Sequence, residues 1–199
     1  MRNYILVRSP LNLVKDSLAG YGWSRVDFSA CVSVEELMAS FKQQNLEVGR
    51  RKKAIKRFYN IKQDDVVIVP MNRAFAIGIA TNTKAYAPEV KNGANQIQLK
   101  YLKDSQGQLV KIPRKEVSEA LSTRLKVRAA VVGISEFKDE IELLIEQIAE
   151  KGYVSYSSRI DDQEAEAIAA FKKQLLANIR SGKTNLESGG YGLEKLVLE

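Results

Sequence analysis

Six of the eight residues in Arg50-Arg51-Lys52-Lys53-Ala54-Ile55-Lys56-Arg57 are cationic, and this run offers the clearest chemistry in the sequence. Wound as a helix, it would anchor one side on Ile55 and Phe58 and fan its cations across the other. No acidic residue follows at i+4 to balance them. Such a face can neutralise several phosphates, an attraction that ignores base sequence and weakens with salt. A solvated helix face is the competing explanation. Aromatic residues supply the second kind of chemistry. Trp23 lies among Gly22, Ser24 and Arg25 rather than in an apolar run, and Tyr86 follows Lys84 in a loop. With Phe75 they are candidates to line a pocket for an unpaired or flipped base, core packing being the alternative for each. Arg73 and Arg114 are further phosphate candidates.

Other chemistry is excluded by composition. The chain has no histidine and one cysteine, Cys31. Imidazole bases, Ser-His and Cys-His nucleophiles and Cys/His zinc sites are therefore absent. Ser181-Gly182-Lys183-Thr184 has the ending of a phosphate-binding loop, but Asn178 stands where the earlier glycine belongs. Asp161, Asp162, Glu164 and Glu166 suit the N-terminus of a helix better than a metal. No metal site is expected within the chain.

Charge is divided unevenly along the 199 residues. Up to Ser135 there are 23 Lys+Arg against 11 Asp+Glu; from Glu136 onward there are 8 against 13. A basic front beside an acidic rear points to a polyanionic partner for the front. No apolar run reaches the roughly 18 residues needed to span a bilayer. The lone Cys31 and the absence of a signal-peptide pattern point to the cytoplasm, with no membrane partner.

The elements that must position these residues follow from periodicity. Tyr4 to Val7 reads as a strand. Ser33-Val34-Glu35-Glu36 is a capping box that opens a helix through Phe41. Arg50 to Tyr59 has helical spacing. Val66 to Pro70 and Ala74 to Ala80 read as a hairpin turned at Met71-Asn72-Arg73. Asn95 to Leu102 alternates as a half-buried strand. Short strands are expected at Leu109–Ile112 and Val127–Ile134, with a short helix between them. Glu136 to Lys151 and Asp161 to Arg180 read as amphipathic helices. The expected fold is α+β: a small mixed barrel with flanking helices over 1–135, a helical connector over 136–185, and the start of another domain over 186–199.

The stretch from Arg50 to Tyr86 resembles the central part of EVE/PUA-like modules fused to Mrr-type restriction endonucleases. Phe58, Ile61, Asp65, Val67, Val69, Pro70, Ile77, Gly78 and Tyr86 match that pattern, and Asp64 replaces its usual glycine. Ile112-Pro113-Arg114 and Val131-Val132-Gly133-Ile134 resemble its later strands. The ending GGYGLEKLVLE resembles the first helix of the nuclease domain, which makes Glu194 an accessory to a metal site. The resemblance implies a PUA-like barrel that reads DNA, including a modified base, ahead of a nuclease using a divalent metal such as magnesium. It implies that the catalytic residues lie beyond Glu199 and that this segment is inactive by itself. Two alternatives remain. One is a protein-interaction or homodimer module built on the rear stripe Ile168, Phe171, Leu175, Leu176 and Ile179. The other is an RNA-binding PUA-like domain.

Overall fold

The computed structural model describes residues 2–151, together with 171, 173, 174 and 176–178. The chain divides into two compact units, Met1–Ser155 and Tyr156–Glu199. In the second unit, the described residues are helical, and Phe171 and Leu176 are exposed. Glu194, the acidic group at 161–166, the Ser181–Thr184 segment, and Ile168, Leu175 and Ile179 lie outside the described residues.

The first unit is α+β, built on a seven-stranded sheet. Its strands are β1 (Tyr4–Val7), β2 (Leu18–Tyr21), β3 (Val66–Pro70), β4 (Ala74–Tyr86), β5 (Asn95–Tyr101), β6 (Ile112–Pro113) and β7 (Val131–Gly133). The hydrogen-bonded order is β2-β5-β4-β3-β1-β7, with β6 pairing the start of β4. Only β1 and β3 run parallel. The expected hairpin forms with Ile68 opposite Ile77, and β4 continues past Ala80 to Tyr86. The sheet is open, running from β2 at one edge to β7 at the other. No pairing joins the edge strands β2 and β7 among the described residues, so the closed small barrel expected from the sequence is not seen.

Both faces are buried, which explains why β1 and β3 read as continuous apolar runs instead of alternating ones. Ile5, Val7, Val67, Val69, Ala76 and Ala80 point to one side. There they meet α2 (Val34–Gln43) and α3 (Lys52–Tyr59) through Leu37, Phe41, Ile55 and Phe58. Tyr4, Leu6, Val66, Ile68, Phe75 and Ile77 point to the other side. Covering them are α4 (Glu119–Arg124) and α5 (Lys138–Lys151), through Leu121, Ile141, Leu144 and Ile148. The helix expected to begin a connector is thus core to the first unit, which continues past the boundary expected at 135.

Local sequence sets the element ends. Ser33 Oγ accepts the Glu36 N–H at 3.1 Å, and Glu36 reaches back to the Val32 N–H at 2.8 Å, closing the cap of α2. A short helix, α1 (Leu11–Lys15), carries the chain from β1 to β2. The Gly20 N–H donates to Ser9 Oγ across this connection at 2.9 Å. A side chain at Gly20 would meet the Gly93 backbone, its Cα at 2.8 Å and its carbonyl oxygen at 2.9 Å, so only glycine fits there. Asp64 holds φ +68, the left-handed conformation that glycine adopts most easily, before the buried Asp65. Asp65 accepts the N–H groups of Asn3 and Lys62 at 2.8 and 3.1 Å, fastening the turn to β1.

Candidate nucleic-acid interface

The cationic run folds as a single 3-10 turn over Gly49–Arg51 followed by α3. Its periodicity does what the sequence suggested: Ile55 and Phe58 are buried, while Arg50, Arg51, Lys52 and Lys53 are exposed. No salt bridge joins any of the six cations to a carboxylate among the described residues. The start of α3 is electrostatically unfavourable. It has no side-chain cap, no acidic residue in its first turn, and two lysines where the helix dipole is positive.

The six cations have different duties. Arg57 is half-buried, donates to the Val131 carbonyl at 3.5 Å, and lies so close to Gly133 that a Cβ there would meet Nε at 3.3 Å. It tethers α3 to β7. Lys56 is half-buried and faces α2. Between the two helices lies a groove of about 330 Å³, lined by Lys42, Lys52 and Lys56, with Glu35 as its carboxylate. Arg51 stands with its guanidinium carbon 5.6 Å from the centroid of the Trp23 ring. That cation–π contact links the cationic run to the aromatic loop.

Trp23 is the best positioned of the candidate pocket residues. It is half-buried, and its ring meets Phe41 of α2 near-perpendicularly at a centroid distance of 4.9 Å. Its φ is +72, a left-handed conformation that costs a bulky residue about 1–3 kcal/mol. The surrounding loop must impose it. Asn95, at the start of β5 and 1% exposed, provides the grip. Its Oδ1 accepts the Phe28 N–H at 2.8 Å. Its Nδ2 donates to the carbonyls of Gly22, Val26 and Trp23 at 2.9, 3.0 and 3.3 Å. Tyr86 holds the same loop from outside, its hydroxyl donating to the Ser24 carbonyl at 2.5 Å.

The three aromatic candidates do not assemble into one pocket. Phe75 is fully buried among Leu6, Ile68 and Ile112, on the sheet face opposite Trp23. It is a core residue. Tyr86 supports the Trp23 loop through its hydroxyl. Arg73 and Arg114 share the β3–β4 turn. The Arg114 N–H donates to the Arg73 carbonyl at 2.9 Å, and its guanidinium donates to the Asn72 carbonyl. They form a basic site on other elements than α3.

Sequence reasoning missed Lys84 as well as Asn95. Residues 81–83 bulge out of the β4–β5 ladder, and pairing resumes with Lys84 opposite Ile97, on the inward side. The Lys84 ammonium donates to the Tyr59 carbonyl at 2.5 Å and lies 4.7 Å from the Tyr59 ring centroid. Burial pushes its pKa below the ordinary lysine value. The cavity beside it, with Asn95 and Gln96, measures about 10 Å³, room for one water. Asn95 had a visible signal: it occupies the inward parity of Asn95, Ile97, Leu99 and Tyr101, where a polar residue needs partners.

Among the described residues, no three His, Cys, Asp or Glu side chains gather as metal ligands, and no helix is long and apolar enough to cross a membrane. No family model, curated protein or solved structure matches this chain.

Proposed function

We propose that this chain is the DNA-recognition domain of a restriction-type endonuclease and that it engages its ligand through the α2–α3 face. One observation carries this reading. The run from Arg50 to Arg57 presents cations without acidic partners among the described residues, beside a tryptophan held in a costly backbone conformation. Cations placed at a helix start weaken the helix, and a phosphate ligand offsets that cost. The resemblance of Arg50 to Tyr86 to EVE/PUA-like modules supports this reading, while the sheet itself is open rather than the barrel that resemblance implies. By that resemblance the parent enzyme cleaves with a carboxylate-held divalent metal, and this domain supplies recognition.

The test is a fluorescence-anisotropy titration with matched duplexes at two salt concentrations. One duplex is unmodified and others carry 5-methyl- or 5-hydroxymethylcytosine. Salt-sensitive binding is expected, and tightening on one modified duplex would assign base reading to the Trp23 loop. Equal binding to all would leave a backbone binder. Absence of DNA binding would sink the proposal, and a parallel RNA titration would then decide for the RNA-binding alternative. A protein-association reading rests on the exposed Leu143 of α5 and on Phe171 and Leu176. Sedimentation of the full chain would detect the homodimer it requires.

A further inference from the structure

The cationic groove and the tryptophan are both built on α2 and the Gly49–Tyr59 segment, and that shared support restricts the form of nucleic acid they can hold. Two of the groove lysines are adjacent in sequence to residues that touch Trp23. Lys42 follows Phe41, whose ring meets the indole, and Lys52 follows Arg51, whose guanidinium lies over it. Met38 and Ala39 give the groove an apolar floor, which suits a sugar as well as a phosphate. Three lysines against Glu35 leave it cationic. A duplex keeps its bases stacked inside and offers Trp23 only a backbone. An unpaired strand offers a phosphate and a free base face within one nucleotide of each other.

From this juxtaposition we propose that the α2–α3 groove and Trp23 together seat a single-stranded nucleic-acid segment. A phosphate lies among Lys42, Lys52 and Lys56, and the neighbouring base stacks on the indole. Arg51 is exposed and its contact with the ring is with a cation, not a packed side chain. The incoming base takes its place over the indole, and the released guanidinium turns to the phosphate. The Asn95 grip and the left-handed Trp23 backbone keep the ring oriented while Arg51 exchanges. This inference rests on the nucleic-acid reading above and names the strand form that the same face accepts.

Trp23 is the only tryptophan in the chain, so its emission reports this site alone. The experiment titrates the full chain with a short oligothymidylate, its ribose counterpart, and a duplex of equal length, following both tryptophan emission and anisotropy. The expected result is quenching by the single strands and tighter binding of them than of the duplex. A preference between deoxyribose and ribose strands identifies the sugar that the groove accepts. Lys42→Gln with Lys52→Gln changes two exposed residues, so folding is expected to survive and is checked by thermal melting. This variant should bind the single strand about tenfold more weakly, with a salt slope shallower by about 0.7 for each phosphate no longer neutralised. Trp23→Leu, followed by anisotropy, should weaken binding about tenfold because the base has no ring to stack on. Tighter duplex binding with unchanged emission would overturn this inference and leave the nucleic-acid reading intact. Failure of all three ligands to bind would overturn both. Full affinity in the double lysine variant would remove the phosphate from the groove.

Discussion

Against one face of the sheet lie α2 and α3, where the rings of Tyr21, Phe28, Phe41 and Phe58 meet at centroid distances between 5.4 and 6.4 Å. Against the other lie α4 and α5, and the packing there is largely aliphatic. Their charges differ more than their cores. On the α4–α5 side, carboxylates meet partners. Glu142 takes Arg2 at 2.9 Å and the Tyr4 hydroxyl, Glu136 takes Arg124 at 3.3 Å, and Glu140 accepts both the N–H and hydroxyl of Ser118. On the α2–α3 side the exposed cations have no carboxylate partner among the described residues. One face pairs several of its carboxylates within the fold, with Arg124 Nε buried beside Glu136 and lacking a hydrogen bond. The other leaves its cations open, at a helix start where they are unfavourable, as expected of a surface completed by a ligand.

The largest effect should come from Phe75→Ala. Removing a fully buried ring from the α4–α5 side should cost about 3–5 kcal/mol in urea unfolding. Nucleic-acid affinity per folded molecule should be unchanged, because Phe75 lies on the far face. A selective loss of affinity would return Phe75 to the binding site and undo the distinction between the faces.

Asn95→Ala should come next, at about 2–3 kcal/mol, since it strands the Phe28 N–H and the carbonyls of Gly22 and Val26. Here stability and binding should fall together, with a shift in Trp23 emission as the loop loses its fixed conformation. An unchanged emission spectrum would show that the loop holds Trp23 without Asn95.

These two residues also show what the sequence can and cannot reveal. Strands β3, β4 and β5 are readable because their apolar spacing is strong. Which parity of β4 faces which helices depends on pairing, and a shift of one residue exchanges the faces. For that reason Phe75 reads from sequence as a pocket candidate, although it packs on the far side. The cationic run predicts α3 with its buried Ile55 and Phe58, but no periodicity can show that Arg57 folds down onto β7. Strand β2 is hidden because Gly20 weakens its pattern, while its reason for being glycine is the backbone of the distant Gly93. Asn95 looks like the first residue of a strand, and its role exists only because four groups of a remote loop converge on it.

A smaller effect tests the paired carboxylates of the α4–α5 side. Burial, and then the Glu142 carboxylate, push the Tyr4 phenol from 10.0 up to about 12. The folded state therefore holds this proton more tightly than the unfolded chain. The associated stability is fully present below pH 10 and is lost as pH rises from 10 through about 12. Tyr4→Phe should flatten that alkaline decline in unfolding free energy. Glu142→Gln should move the phenol back toward its ordinary value, read from phenolate absorbance. A decline identical in wild type and Tyr4→Phe would place the sensitivity elsewhere.

The smallest stability effect is the most informative because its sign is opposite. Lys52→Glu with Lys53→Glu places two carboxylates in the first turn of α3, where the helix dipole favours them. It also relieves the like charges beside Arg50 and Arg51. Each change should stabilise the fold by about 0.3–1 kcal/mol, less at high salt. Nucleic-acid binding should weaken in the same protein, with a salt slope shallower by about 0.7 to 0.9 for each phosphate no longer neutralised. A gain in one property against a loss in the other would mean that α3 carries its lysines for a ligand at the expense of the helix. If the variant is stabilised and binds as well as wild type, the run is only a solvated surface. If it is destabilised, the lysines have partners within the fold, and the contrast between the two faces disappears.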